Sequence, residues 1–185
     1  MKSAFLICFS LLSFGGISTM PAIAADSYPT SAIKQVQVQV PFSSQTISQA
    51  IKSRASFEGE LLRLTNLERQ KAGLAPLKLS LPLTRAAQLH STDMARNDYF
   101  SHTGQNRSNM ADRAKATGYK YSYLGENIAA GKSTAEGTIR QWMNSPGHRA
   151  NILNRSFTEI GFGYANDQSS TYKHYWVQVF GTPRR

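Results

Sequence analysis

Cysteine is almost absent from this sequence, whose 185 residues include only Cys8. Cys8 lies in residues 1–24, where Met1-Lys2, an apolar run and the small-residue sequence "AIA" are typical of a secretory signal peptide. We expect cleavage after Ala24 and a secreted product, located in the periplasm, the cell envelope or the extracellular space. The mature chain would then contain no thiol, which excludes disulfides, iron–sulfur clusters and cysteine nucleophiles.

Long hydrophobic runs and acidic residues are also scarce. The N-terminal apolar run is interrupted by serine and glycine and is shorter than the roughly 20 residues that span a bilayer, so we expect no transmembrane segment. Asp and Glu number 11 against 21 Lys and Arg, which gives a formal net charge of +10. Such an excess favours an anionic cell-envelope polymer or lipid headgroups as partners. Nucleic acid is not expected, because the basic residues are scattered and no stacking aromatic motif lies among them.

The mature length suits one domain preceded by a short arm. Residues 25–56 are polar and rich in serine and glutamine, and we interpret them as a linker or arm. The alternating sequence "IKQVQVQV" at 33–40 leaves open an edge strand laid on the domain. Residues 57–185 are predicted to form the domain, which we expect to be a monomer.

Periodicity in residues 57–185 predicts helices first and strands last. A helical face that begins at Phe57 predicts a first helix ending at Gly73. Helix signals also predict helices from Ser80, over 108–117, from the capping box "STAE" at 133–136, and from Ser145-Pro146. Two strands, "TEIGFGYA" (158–165) and "YKHYWVQVF" (172–180), are predicted to form an antiparallel hairpin. This order predicts the α+β class.

The four histidines fall into two groups. His90 lies on the apolar stripe of the second predicted helix, which indicates a core residue, and His174 lies on a terminal strand, where we expect it to be half-exposed. His102 in "FSHTG" and His148 in "SPGHRANI" lie in a loop and at a helix start, where packing gives little reason for a histidine. A third polar sequence, "LGENIAAG", contains Glu126 and is interpreted as a loop.

Five segments, in this order, resemble the bacterial branch of the CAP superfamily: "AAQLHSTDMARNDYFSHTG", "GENIAAG", "QWMNSPGHRANIL", "EIGFGYA" and "YWVQVFG". These are the SCP-like domains related to cysteine-rich secretory proteins, antigen 5 and plant pathogenesis-related proteins. The resemblance covers roughly residues 57–183 and implies a three-layer α-β-α sandwich with a central antiparallel sheet. It also implies a cleft lined by two histidines and two acidic residues, where the histidines of many members hold zinc or another divalent ion.

In this chain the matching residues are His102, Glu126 and His148. Animal and plant members carry an acid three residues after a tryptophan, whereas "WMNS" places Ser145 there. The cleft would therefore offer two nitrogens and one carboxylate, fewer ligands than a structural zinc site has. A divalent ion such as zinc would be held weakly, and no other cofactor is expected.

Two interpretations of this set stay open. His148 would lie near the third position of a helix capped by Ser145, where the positive end of the helix dipole favours the neutral imidazole that a metal requires. Alternatively, Glu126 only hydrogen-bonds a histidine or backbone amides and never meets a metal.

Catalysis has two conceivable routes in this set. A hydrolase could use His102 and His148 on a metal with Glu126 as general base, or use Ser145 as a nucleophile beside His148. However, a serine before proline at a helix start is typical of a cap, and the sequence contains no H-E-x-x-H motif.

We therefore expect a secreted binding or signalling module of the cell envelope. One alternative is a divalent-metal-dependent hydrolase acting on peptides or cell-wall material. Another is a lipid or sterol carrier that uses the aromatic residues of "GFGYA" and the strand around Trp176.

Overall fold

A computed structural model describes residues 44–184 of the chain. This part contains five helices and four strands, in the order α1 (Ser44–Lys71), β1 (Lys78–Leu79), α2 (Leu81–Arg96), α3 (Met110–Ala116), β2 (Tyr121–Ala130), α4 (Ala135–Met143), α5 (Pro146–Ile152), β3 (Glu159–Asn166) and β4 (His174–Pro183). None of these helices is long and apolar enough to cross a membrane. The predicted signal peptide and the alternating sequence at 33–40 lie outside the described residues.

The strands form one sheet in the order β1-β3-β4-β2. Strand β4 is antiparallel to both of its neighbours, and the two-residue β1 pairs parallel with β3. In the pairing of β2 with β4, Glu126 lies opposite Val179 and Asn127 opposite Gln178. Within residues 44–184, strand β2 is therefore an edge strand that has a partner on one side only.

Helices cover both faces of this sheet, because successive side chains of a strand point to opposite faces. On one face, Trp176 and Phe180 of β4 pack with Trp142 of α4 and with residues of α1 and α5. On the other face, Val177 and Val179 pack with residues of α2 and α3. The predicted α+β class and three-layer α-β-α sandwich are confirmed.

Helix α2 lies in direct backbone contact with β3. A Cβ atom at Gly161 would lie 2.1 Å from the backbone nitrogen of Thr84, and one at Gly163 would lie 2.3 Å from the carbonyl carbon of Ala87. Both distances are impossible for a side chain, so the two glycines of "GFGYA" permit this close approach. Gln88 completes the contact, since its side-chain amide bonds both the N–H and the carbonyl of Tyr164.

Helix α1 begins earlier than the sequence pattern predicted. The expected start was near Phe57, whereas the helix begins at Ser44, within the segment interpreted as an arm. Residues 44–56 contain no glycine or proline, so no residue there stops a helix from extending toward the N-terminus. The division of the chain at residue 57 stays a prediction.

The predicted start of helix α4 was wrong by one residue. The cap is Thr134, whose hydroxyl accepts from the N–H of Gly137, and not Ser133 of the predicted capping box.

The interpretation of "LGENIAAG" as a loop was also wrong. This sequence belongs to β2, and residues 125–129 of that strand are buried. Glycine, asparagine and glutamate are depleted in strands, which explains why local propensity favoured a loop.

Gly163→Ala should destabilise the domain, because the added methyl group would overlap the backbone of Ala87 and separate α2 from β3. Overpacking of this kind costs about 1–3 kcal/mol or more, which urea unfolding followed by circular dichroism would measure. Gly59→Ala is the matched control, since a Cβ at Gly59 in α1 has no neighbour within 4 Å. It should leave stability unchanged or raise it by up to about 1 kcal/mol. Equal destabilisation by both changes would contradict the backbone contact.

Candidate functional site

The Glu126 side chain is only 3% exposed, and both of its oxygens are engaged. Oε1 lies 2.8 Å from Nδ1 of His102. Nη2 of Arg113 donates to Oε1 at 3.0 Å and to Oε2 at 2.7 Å. Both carboxylate oxygens of Glu126 therefore act as hydrogen-bond acceptors, for His102 and for Arg113.

These partners keep Glu126 ionised. Burial alone would raise the pKa of the carboxyl group, but the hydrogen bond from His102 and the charge of Arg113 outweigh it and hold the pKa below its usual value. Since an ionised carboxylate can only accept, the Nδ1 atom of His102 must carry the proton. In the neutral form of that ring, the Nε2 atom then carries a lone pair.

Arg113 of α3 is the site residue that sequence reasoning missed. It is buried, and besides Glu126 it bonds the carbonyl of Ser108 through Nη1 at 2.9 Å and the carbonyl of His102 through Nη2 at 3.0 Å. It therefore ties the loop between α2 and α3 to strand β2. No local signal distinguishes Arg113 from Lys115, its exposed neighbour in the sequence "ADRAKA".

His102 lies in the loop after α2, with 56% of its side chain exposed. The core residue His90 supports this loop, because its Nε2 lies 2.9 Å from the carbonyl oxygen of Ser101. His90 is 1% exposed, as predicted. Burial lowers its pKa, although the charge of Glu126 opposes this effect.

His148 is the third residue of α5 and is half-buried. Burial lowers the pKa of its imidazole, and the charge that His102 carries when protonated lowers it further. The sequence prediction gave the helix start as the reason for a neutral imidazole, whereas the causes found in the structure are burial and the charge of His102. Its Nδ1 atom is buried and has no hydrogen-bond partner within the described part of the chain.

A network of buried amides holds the backbone of His148. Nδ2 of Asn127 donates to the carbonyl of His148 at 3.1 Å and to Oε1 of Gln178 at 3.0 Å. Gln178 in turn donates to the hydroxyl of Thr65 in α1, and Asn151 of α5 donates to Oδ1 of Asn127. Satisfied buried networks of this kind fix the relative positions of their members.

His102 and His148 lie on the two sides of strand β2. Glu126 and Asn127 are successive residues of β2, so their side chains point to opposite faces. Glu126 holds His102 on the side of α3, and Asn127 holds the backbone of His148 on the side of α5. Among residues 44–184 no strand lies beyond β2. The charge of a protonated His102 lowers the pKa of His148, so the two rings interact electrostatically.

Ser145 does not take part in these contacts. It occupies the N-cap position of α5, but its side chain makes no capping hydrogen bond, so that part of the prediction was wrong. The helix start is set instead by Pro146 and by the carbonyl of Ser145, which accepts from the N–H of Arg149.

The donor set fits a weakly held ion rather than a resident zinc centre. Within residues 44–184, no group of three or more His, Cys, Asp or Glu side chains is placed to hold a metal. Glu126 is committed to Arg113, which leaves the two imidazoles as ligands, against three or four in zinc centres. Glu126 would then not bind the metal but would accept the hydrogen bond from Nδ1 of His102, as carboxylates do for many metal-bound histidines.

Acidification should destabilise the folded protein. The pKa values of His90 and His148 are lowered by folding, so below about pH 6.5 the unfolded chain binds more protons than the folded one. The free energy of unfolding, measured with urea, should therefore fall between about pH 7.5 and pH 5.5. For His90→Gln, the free energy of unfolding should fall less over this range, and above it the pH dependence should be the same as in wild type. An unchanged slope in this variant would contradict the neutral state of His90.

The described fold and site can be compared with known proteins. Residues 62–180 match the family model of CAP, the cysteine-rich secretory protein family. The uncharacterized protein YkwD of Bacillus subtilis is 42% identical over 135 residues, which cover 73% of this chain and 51% of YkwD.

Two solved structures share the fold. An extracellular protein containing an SCP domain from Bacillus anthracis is 30% identical with a TM-score of 0.64, covering 76% of this chain and 44% of that one. An outer surface protein from Borrelia burgdorferi has a TM-score of 0.59 at 19% identity, covering 77% of this chain and 97% of its own. This chain spans about half the length of the two Bacillus proteins. Since the family model covers most of the described domain, the chain belongs to the cysteine-rich secretory protein (CAP) family.

Proposed function

We propose that this protein is a secreted binding module of the cell envelope and that its ligand contacts His102 and His148 at the edge of β2. One observation carries the proposal: Arg113 and His102 occupy both oxygens of Glu126, while 56% of the His102 side chain is exposed and can reach a ligand. The extracellular SCP-domain protein of Bacillus anthracis supports the location.

The same contacts argue against hydrolysis. A general base at neutral pH needs a pKa near 7, whereas the pKa of Glu126 is held below the usual value of a carboxyl group. No described contact links Ser145 to a base that could activate its hydroxyl.

A lipid or sterol carrier has no support from the aromatic residues that suggested it. Phe162 and Trp176 are fully buried in the cluster shared with α1, α4 and α5. They fill the core and do not line a groove.

The ligand would be recognised in two ways. The formal net charge of +10, which becomes +9 when cleavage after Ala24 removes Lys2, attracts an anionic polymer, and this attraction is screened by salt. The imidazole rings of His102 and His148, when neutral, accept hydrogen bonds from hydroxyl or N–H groups of that polymer, and salt weakens such bonds little. The two contributions can therefore be separated by ionic strength.

Co-sedimentation with cell-wall material isolated from a Bacillus tests the proposal. Wild type should bind, and raising salt from about 50 to about 500 mM should weaken binding because the charges are screened. The double variant His102→Ala/His148→Ala should bind about tenfold more weakly at both salt concentrations, as expected for a lost hydrogen bond.

His174→Ala is the matched control for this experiment. The Nδ1 atom of His174 contacts Tyr164 and Asn166 on the adjacent strand, away from the site contacts described above. This variant should bind as wild type does. Equal binding of the double variant and wild type would overturn the assignment of the site.

Zinc should bind weakly to His102 and His148, and binding should fade below about pH 6.5 because protons compete for the imidazoles. Titration calorimetry should show that His148→Ala abolishes the heat, while circular dichroism shows an intact fold. If the histidine is only structural, His148→Ala would lower the melting temperature and zinc would have no effect on either protein. Absence of heat from wild type at millimolar zinc would contradict this prediction.

A further inference from the structure

We propose that Arg113 is a positioning residue for this site: acting through Glu126, it fixes His102 as the tautomer with a proton on Nδ1 and a lone pair on Nε2. The use of that lone pair rests on the proposed function, but the tautomer does not. Neither the family match nor the sequence pattern pointed to this arginine.

The guanidinium of Arg113 sets the orientation of the carboxylate through one nitrogen, while its other nitrogen is anchored on the backbone. Nη2 of Arg113 lies within 3.0 Å of both oxygens of Glu126, while Nη1 is anchored on the carbonyl of Ser108. A planar guanidinium anchored at both nitrogens restricts rotation of the group that it binds, which a lysine ammonium does not. Oε1 is thereby held 2.8 Å from Nδ1 of His102.

The backbone of His102 is held by the same group. Nη2 of Arg113 also donates to the carbonyl of His102 at 3.0 Å, and His90 holds the preceding carbonyl, that of Ser101. Arg113 therefore positions both the Glu126 carboxylate, which accepts the hydrogen bond, and the backbone of His102, whose ring donates it. The tautomer of a histidine is set by the hydrogen bond that its other nitrogen makes, so this arrangement selects the Nδ1–H form.

A purely structural role makes a different prediction. If Arg113 only ties the loop to α3, its loss lowers stability and leaves the ring proton of His102 on the same nitrogen. If it positions Glu126, its loss lets the carboxylate rotate, and His102 returns toward the Nε2–H tautomer that free imidazole side chains prefer. Ring-nitrogen spectroscopy separates these outcomes, whereas thermal melting does not.

The experiment is ¹⁵N NMR of protein labelled at histidine, recorded near pH 8, where imidazoles are neutral. Wild-type His102 should show a protonated Nδ1 and an unprotonated Nε2. Arg113→Met should shift the ring to a mixture or to the Nε2–H form, and Arg113→Lys should be intermediate because it lacks the second nitrogen that anchors the group on Ser108. Arg140→Met, at an exposed position in α4, is the matched control and should match wild type.

Two results would overturn the proposal: an Nε2–H tautomer in wild-type His102, or an Arg113→Met spectrum unchanged at His102 in a protein with lowered melting temperature. If Arg113→Met fails to fold, the spectrum of Arg113→Lys is used instead. An unchanged His102 tautomer in Arg113→Lys would then overturn the proposal.

This experiment uses no ligand, so it is independent of the proposed function. Co-sedimentation of Arg113→Met with the same wall material should show about tenfold weaker binding, as for the loss of a group behind a ligand-binding histidine. A changed tautomer with unchanged wall binding would overturn the proposed function and leave the role of Arg113 standing.

Discussion

The site depends on the burial of two adjacent polar side chains, Glu126 and Asn127, in an edge strand. A buried carboxylate is tolerated only when a cation and hydrogen bonds compensate for the water it has lost. Arg113 and His102 supply that compensation for Glu126, while Gln178 and Asn151 satisfy Asn127. These partners come from helix α3, a loop, strand β4 and helix α5. Satisfying two side chains therefore fixes the positions of four surrounding segments.

The sheet order makes this arrangement possible. If β2 were central, another strand would separate the loop after α2 from helix α5. Because β2 is the edge strand of the described sheet, Glu126 can hold a group on one face and Asn127 a group on the other, with no described strand between those two groups. Helix α2, whose backbone lies against Gly161 and Gly163, leads directly into the loop that carries His102.

Local patterns predicted the elements that bury an apolar stripe. The helix carrying His90 and the two C-terminal strands were recognisable because their periodicities reflect the core on which they pack. Strand β2 was not, because its buried residues Glu126 and Asn127 are polar and are stabilised by partners distant in sequence. Arg113 lies 13 residues before Glu126, with no periodic relation between them. Pairing of buried polar groups is a tertiary property, and a single sequence contains no local signal of it.

Family resemblance, in contrast, supplied His102, Glu126 and His148 without their geometry. The geometry changes what these residues can do. Ser145 stands where many members carry a second acid, and the remaining carboxylate is neutralised by Arg113, so the site has no net negative charge to attract a cation. In the proposed function, imidazoles in their neutral form on such a background would favour ligands that donate hydrogen bonds over ligands that carry positive charge. The surface charge of the chain would then select among those donors for polymers that are themselves anionic.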